Sequence, residues 1–317
     1  MAIVEVKNLI KNYKKAKTNA VDGISLTVSE GEFFAFLGPN GAGKTTTISI
    51  LTTTLNKTSG TVTIAGHDLD KDEAEVRRNI GIIFQNPSLD LGLSGEENIR
   101  FHASLYGVYP FRPSYNLMPK AYKDKIQELA KILDMEESIF KRTSDYSGGM
   151  KRKLEIVRSL IHNPKVLFLD EPTTGLDPLS RRNLWNYLNT VRKEHGITVF
   201  LTTHYLDEAE GADRVAIIKD GKIVKLGTPH EIKNDLVHEF LILDTKPEDR
   251  EALAKELKAK KLKFEAKPYF EVILNGHNVQ KIINGIKTPL TLVRTHNPSL
   301  EEAYLDIIEG GDREQRS

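Results

Sequence analysis

The sequence predicts an α/β fold built around a phosphate-binding loop, followed by a small α+β domain of the ferredoxin-like kind. A glycine-rich loop at residues 38–45 stands between an apolar run and a run that can continue as a helix. Two nearly continuous apolar runs, at 166–169 and 197–201, suit parallel strands that are covered on both faces. From residue 240 onwards, strand-like and helix-like segments follow the order βαββαβ, which matches a split βαβ unit.

The first ~65 residues predict short, half-buried strands. Alternation of apolar and polar residues, which is typical of half-buried strands, occurs at 3–6, 24–28 and 61–64. Turns are expected at Asp22-Gly23 and at Glu30-Gly31.

The loop at residues 38–45 has the sequence GPNGAGKT and fits the phosphate-loop pattern G-x-x-x-x-G-K-[ST]. Its glycines let backbone N–H groups point inward, and the following helix N-terminus adds positive potential, so that a polyphosphate can bind. Lys44 is expected to reach the terminal phosphates and the Thr45 hydroxyl to face a magnesium ion. A glycine-rich turn without a ligand is the weaker interpretation, because the strand and helix context is present. The predicted nucleoside triphosphate contacts in the loop are Gly38, Asn40, Gly41, Ala42, Gly43, Lys44, Thr45 and Thr46.

The segments after this loop alternate between strand and helix patterns. A strand is predicted at 80–84, and a helical region from 94 to 160 is interrupted by Pro110, Pro113 and Pro119. Residues 215–224 predict a hairpin with a type I′ turn at Asp220-Gly221. In the last part, a capping box from Ser299 to Glu302 predicts the start of the final helix, and the polar residues after Gly310 predict a flexible tail.

Two acids follow the apolar run at 166–169. An aspartate at the end of such a strand, beside a phosphate loop, is where magnesium is held, so Asp170 is the predicted metal ligand. Side chains alternate along a strand, so Glu171 is directed elsewhere and can orient or deprotonate the attacking water. The alternative is that both acids merely end a strand, and the phosphate loop makes this the weaker interpretation.

Ser147, Gly148, Gly149 and Met150 form a small turn before a helical run. Such a turn offers N–H groups to an anion. Taken alone, an ordinary helix cap with Ser147 as the capping residue is the better interpretation.

Composition narrows the classes of function without choosing among them. The 317 residues carry 45 Lys and Arg against 44 Asp and Glu, so the net charge of +1 gives no general attraction to nucleic acid, and no nucleic-acid partner is expected. The absence of cysteine excludes disulfides, thiolate zinc sites and cysteine nucleophiles. No apolar run approaches the ~20 residues that span a bilayer. If the protein works at a membrane, another chain must supply the membrane part.

Taken together and in order, these motifs resemble the nucleotide-binding subunits of ATP-binding cassette (ABC) transporters. The matching features are Walker A at 38–45, the Q-loop at Gln85, the signature at 146–150, Walker B at 166–170 with Glu171 adjacent, the D-loop at Asp177 and the switch His204. The resemblance implies a RecA-like core with an antiparallel β subdomain in a cassette at 1–230, with a helical subdomain at about 86–160. The different pattern of the remaining residues predicts an accessory α+β domain at 235–310 and a flexible tail at 311–317.

The resemblance also implies roles that the residues alone do not give. Ser147, Gly148 and Gly149 would bind the γ-phosphate of ATP held by the second subunit of a homodimer. His204 would act with Glu171 in hydrolysis, although a histidine after an apolar strand can be a packed core residue. Gln85 would sense magnesium together with Thr45 and Asp170. Tyr13 would stack on adenine, with a packing aromatic as the alternative.

Further residues resemble the separately encoded ATPase subunits of daunorubicin-type drug exporters, namely 93–98, 146–150 and 298–305. This implies ATP and Mg²⁺ as cofactors, a separate transmembrane permease, and a position on the cytoplasmic face of the cell membrane. The substrate class is drug-like, lipid or other. The alternative functions are a soluble ABC ATPase of repair, translation or assembly, and a regulatory nucleotide-binding module without turnover. The presence of both Glu171 and His204 argues against the second.

Overall fold

The chain divides into two compact units in the computed structural model, Met1–Leu226 and a second that starts at Gly227. The structure describes residues 1–14, 16–86, 88–236, 240–266, 268–274, 277–296 and 299–310. The predicted division at 230–235 falls inside the helix Pro229–Leu236, and this whole helix belongs to the second unit. The predicted tail at 311–317 lies outside the described residues. The functional boundary of the cassette stays a prediction.

The described residues of the first unit form two sheets. One is antiparallel and has the order β2-β1-β4-β5, with β1 (Ala2–Lys11), β2 (Val21–Ser29), β4 (Ser59–Ile64) and β5 (His67–Asp68). The other has the order β10-β9-β3-β8-β7-β6, with β3 (Phe33–Leu37), β6 (Ile80–Ile83), β7 (Val166–Asp170), β8 (Thr198–Thr203), β9 (Arg214–Lys219) and β10 (Lys222–Gly227). Strands β6, β7, β8, β3 and β9 pair in parallel, as the apolar runs predicted.

The first unit also contains helices. They are α1 (Lys44–Leu51), α2 (Glu73–Asn79), α3 (Gly95–Leu105), α4 (Lys120–Ile132), α5 (Gly148–Leu160), α6 (Pro178–His195) and α7 (Leu206–Glu210). The helical region predicted at 94–160 is therefore confirmed, with irregular chain around the three prolines. Inside it, the buried Arg100 donates to Glu96 at 3.0 Å and to the Arg112 carbonyl at 2.6 Å, which holds the irregular segment against α3.

The two sheets share one core. Phe200 on β8 has its ring 5.3–5.8 Å from those of Phe34, Phe36 and Phe168 on the neighbouring strands. Ile48 and Ile50 of α1 join the same cluster, which also takes apolar side chains from β1 and β2. The phosphate loop is thus anchored at both ends, because the strand before it and the helix after it are buried in one core.

The turn predicted at Asp22-Gly23 is wrong. In the register of β1 with β2, Leu9 faces Ile24 and Ile10 faces Asp22, so Gly23 is the extra residue of a bulge inside β2. Its φ of +74° suits glycine. The hairpin turn is confirmed, since Asp220 and Gly221 both have positive φ between β9 and β10.

The second unit contains α8 (Pro229–Leu236), β11 (Phe240–Asp244), α9 (Arg250–Ala259), β12 (Phe264–Glu265), β13 (Phe270–Ile273), α10 (Val279–Asn284), β14 (Leu292–His296) and α11 (Leu300–Gly310). All pairs in the sheet order β12-β13-β11-β14 are antiparallel. β13 lies between β11 and β12, which is the arrangement of a split βαβ unit. The ferredoxin-like class stays a prediction, and the capping box of α11 is formed between Ser299 and Glu302.

The second unit has its own apolar core, to which Leu253 and Leu257 of α9 contribute. Among the described residues of both units, no helix has the length and the apolar character needed to cross a bilayer.

Candidate functional site

The candidate site lies at the carboxyl ends of three adjacent parallel strands. β3 leads into the phosphate loop, β7 ends at Asp170, and β8 ends one residue before His204. In open α/β sheets, ligands bind at this edge. The strand order β3-β8-β7 therefore brings together three motifs that are far apart in sequence.

Two glycines of the phosphate loop lie where no other residue would fit. Gly43 caps α1 with φ +107°, and a Cβ there would lie 2.4 Å from the Ala20 carbonyl oxygen. At Gly38 a Cβ would lie 2.5 Å from the Ile218 carbonyl oxygen. A side chain at either position would collide with backbone, so the loop conformation depends on glycine.

Lys44 is buried, with 4% of its surface exposed. Its Nζ donates to the carbonyl oxygens of Gly38 at 2.8 Å and Pro39 at 3.2 Å, and it lies 3.3 Å from Oε1 of Glu171. The loop carbonyls and one carboxylate therefore compensate the buried ammonium.

Glu171 is the point at which the motifs meet. Its other oxygen, Oε2, accepts from Gln85 Nε2 at 3.3 Å and lies 3.2 Å from Nδ1 of His204, at ion-pair distance. Glu171 is 7% exposed and has a φ of +46°, which is unusual for a residue other than glycine. Such backbone strain is common at functional sites, and here it accompanies contacts to Lys44, Gln85 and His204.

Asp170 lies beside Thr45, whose Oγ1 is 3.5 Å from Asp170 Oδ1. The same oxygen accepts from Thr202 Oγ1 at 2.5 Å. Burial raises the pKa of the Asp170 carboxyl, an effect that the Thr202 hydrogen bond opposes. A hydroxyl and a carboxylate facing one point are the oxygen ligands that magnesium takes, and phosphate oxygens and water would complete its shell. Within the described residues, no three His, Asp or Glu side chains gather to hold a metal, so the pair fits an ion that arrives with a nucleotide.

A cavity of about 450 Å³ opens over these residues. Of the predicted site residues, it is lined by Asn40, Gly41, Gly43, Lys44, Thr45, Thr46, Gln85, Glu171 and His204. The predicted contacts Gly38, Ala42, Asp170 and Tyr13 do not line it. The Tyr13 side chain is 44% exposed, with Lys11 Nζ 5.3 Å from its ring centroid. A neighbouring cavity shares Ala20 and Gly41 with the first and includes Ala16, whose N–H donates to the Tyr13 carbonyl.

The signature residues lie apart from this cavity. Ser147 caps α5 and accepts from Met150 N–H at 3.2 Å, which confirms the cap. Ser147 and Gly149 line a different cavity of about 200 Å³, together with Ser180 at the start of α6. Asp177 caps α6, and its hydrogen bond from Ser180 does most to lower the pKa of the Asp177 carboxyl. Within one chain, the signature does not reach the phosphate loop cavity.

Comparison with known proteins agrees with this geometry. Residues 21–174 match the family model described as ABC transporter. Over 99% of its length, this chain is 35% identical to the daunorubicin/doxorubicin resistance ATP-binding protein DrrA of Streptomyces peucetius, and the match covers 94% of that protein. The chain belongs to the ATP-binding proteins of ABC transporters.

Other relatives place the cassette in the same group. The doxorubicin resistance ATP-binding protein DrrA of Mycobacterium tuberculosis is 40% identical over 74% of this chain and 68% of its own length. A solved dimeric ATP-binding cassette, in a post-hydrolysis state with ADP and Pi, has a TM-score of 0.62 at 28% identity and covers 71% of this chain and 98% of its own. The predicted family, the phosphate-loop ATPase fold, ATP binding and ATP hydrolysis are confirmed.

Sequence reasoning missed residues that support the site. Thr202 bonds Asp170 through its hydroxyl and accepts from Glu171 N–H through its carbonyl at 3.0 Å. The buried Glu208 accepts from Thr203 at 2.6 Å and from Thr173, and burial raises the pKa of its carboxyl. In the sequence, these supporting contacts are indicated only by the two threonines, Thr202 and Thr203, that end an apolar strand before His204.

Proposed function

We propose that this cassette binds ATP through the phosphate loop and that Glu171 orients the water that attacks the γ-phosphate. The observation that supports this most is the position of Glu171, one residue beyond the Asp170 carboxylate and in contact with Lys44, Gln85 and His204. Side chains from three separate motifs thus converge on the carboxylate of a fourth at the edge of the cavity. A carboxylate held in this way is a suitable general base or water-orienting group.

Lys44 has a second part in this proposal. A nucleotide phosphate would replace the Gly38 and Pro39 carbonyls as the acceptor of the Lys44 ammonium. The contact between Lys44 and Glu171 would weaken at the same time, which leaves the carboxylate for water. Asn40, Gly41, Gly43 and Thr46 lie around the cavity where the polyphosphate would lie, with Gly38 and Ala42 supporting the loop and Tyr13 stacking on adenine.

Magnesium is part of the proposed substrate complex. Thr45 and Asp170 would hold the ion, with Gln85 nearby through its contact to Glu171. When bound, the ion supplies positive charge to the phosphate oxygens as negative charge develops on them.

The catalytic unit that we propose is a homodimer closed around two ATP molecules. Ser147, Gly148 and Gly149 lie on a helix start that faces a separate cavity, so they are free to bind the γ-phosphate held by a second copy, with Asp177 close to the same edge. A separate permease would complete the transporter at the cytoplasmic face of the membrane and export a drug-like, lipid or other substrate. The similarity to drug-resistance ATP-binding proteins supports the transporter over the soluble non-transport alternative.

The substitution Glu171→Gln tests the proposal. It removes the negative charge and keeps the shape, so we expect ATP to bind with unchanged affinity while turnover falls by about 10²–10⁴-fold. Glu194→Gln makes the same change on the exposed side of α6 and should leave turnover unaltered. Release of phosphate at the wild-type rate by Glu171→Gln would exclude the proposed role.

A further inference from the structure

One face of α5 carries three charged side chains that are spaced by three residues, Arg152, Glu155 and Arg158. Arg152 is 3% exposed and Glu155 is 1% exposed. Residues at this spacing lie side by side on a helix. We call these three residues the α5 clamp, because their contacts reach two segments of the active site that are distant in sequence.

The Arg152 guanidinium makes four hydrogen bonds. It donates to the carbonyl oxygens of Phe84 at 2.6 Å and Gln85 at 3.0 Å, and to that of Pro172 at 2.7 Å. The fourth goes to Glu155 Oε2 at 2.7 Å, so the buried positive charge has a buried carboxylate as its partner. One side chain therefore joins the signature helix to the Q-loop backbone and to the residue that follows Glu171.

Glu155 and Arg158 hold the chain on the other side of the Q-loop. Glu155 Oε1 accepts from Ser88 N–H at 3.0 Å. Arg158 donates to the Ser88 carbonyl at 2.6 Å and to its hydroxyl at 2.7 Å. The α5 clamp thus binds the Q-loop backbone both at Gln85 and at Ser88.

We propose that Arg152 is a positioning residue that makes the signature helix, the Q-loop and the backbone after Glu171 move as one body. This inference rests on the proposed roles of Ser147 and Glu171. When the signature closes on a nucleotide held by a second copy, the Arg152 contacts carry that movement to the hydrolytic carboxylate of the same chain. Arginine suits this role because its planar fork keeps its charge and donates in several fixed directions, which lysine does not do.

A distance measurement tests the coupling without relying on ATP turnover. The chain has no cysteine, so Asn86→Cys and Lys151→Cys place two nitroxide labels, one on the Q-loop and one on α5, in an otherwise unlabelled protein. We expect pulsed electron paramagnetic resonance to give a narrow distribution of label distances, and Arg152→Gln to broaden it. Arg152→Gln removes the nearest cationic partner of the buried Glu155 carboxylate and leaves only Arg158, at 3.8 Å. The double variant Arg152→Gln/Glu155→Gln removes both charges of this pair, so loss of folding through a poorly compensated buried charge is avoided.

The kinetic arm uses the same variants without labels. We expect kcat to fall by about 10–100-fold, as for other supporting residues around a site, with the KM for ATP nearly unchanged. Arg182→Gln is the matched control, an exposed arginine on α6, and should change neither distance nor rate. A double variant with the wild-type distance distribution, or with a broadened one and the wild-type kcat, overturns the inference. If the wild-type chain hydrolyses no ATP, the proposed function fails. The label distances would still show whether Arg152 couples the Q-loop to α5.

Discussion

At the scale of single residues, two imidazoles make the stability of the first unit depend on pH. The rings of His102, Tyr106 and His162 form one cluster, with the Tyr106 centroid 4.4 Å from each imidazole and the two imidazoles 5.7 Å apart. Burial, with smaller effects from Arg158 and His162, lowers the pKa of His102 to about 3, and burial also lowers the pKa of His162. Both imidazoles are therefore neutral in the folded chain at pH 7.

The direction of the pH effect follows from these values. Below pH ~6.5 the unfolded chain takes up a proton at each histidine, while folded His102 does not do so until about pH 3. The contribution of neutral His102 to the free energy of unfolding is therefore complete above pH ~6.5, and it is lost as the pH falls towards 3. We expect His102→Phe to reduce the slope of unfolding free energy against pH by up to about 1.4 kcal/mol per pH unit. Urea unfolding of both proteins at pH 5 and pH 7 measures this slope.

The control for this measurement is His67→Phe, the same exchange on β5 of the same unit. Its slope should stay close to that of the wild type. Equal slopes for His102→Phe and the wild type would mean that the folded His102 takes up its proton as an unfolded histidine does.

At the scale of elements, hydrophobic pattern and glycine chemistry predicted much of the first unit. The bounds of β3 agree with its apolar run, because a strand that is covered on both faces has no polar positions. No helix was predicted at 178–195, although α6 has Asp177 as its N-cap, Pro178 as its first residue and Gly196 as its left-handed C-cap. The bulge at Gly23 could not be predicted locally, since it depends on the register with β1.

The two units provide a prediction about the carboxyl-terminal region. Each has its own apolar core, and the phosphate loop, Asp170, Glu171 and His204 all belong to the first. We therefore expect a chain that ends at Leu226 to bind ATP with nearly unchanged affinity, and to dimerise or couple to transport less well. Titration with a fluorescent ATP analogue and size-exclusion chromatography, each beside the full chain, measure the two effects. A folded, shortened chain that binds no ATP would assign the second unit to the nucleotide site.

At the scale of the whole molecule, one chain contains every motif of the site but brings only some of them together. The phosphate loop, Gln85, Glu171 and His204 share a cavity, because the strand order places them at one edge of the sheet. Ser147 and Gly149 line another cavity. Sequence motifs predicted both groups, but the contacts of Thr202 and of the α5 clamp depend on side chains that meet only after folding. The central claim is that the second cavity is completed by a second copy.

The most direct test mixes two inactive variants. Lys44→Ala removes the phosphate-loop ammonium, and Ser147→Arg places a bulky charge at the signature. In a head-to-tail dimer of one chain of each kind, one site keeps both Lys44 and Ser147 intact, whereas each variant alone has no intact site. We expect the mixture, unfolded and refolded together or co-expressed, to recover up to about a quarter of the wild-type ATPase rate if the two sites act independently. A mixture no more active than its components, or wild-type turnover by Ser147→Arg alone, would contradict the shared site.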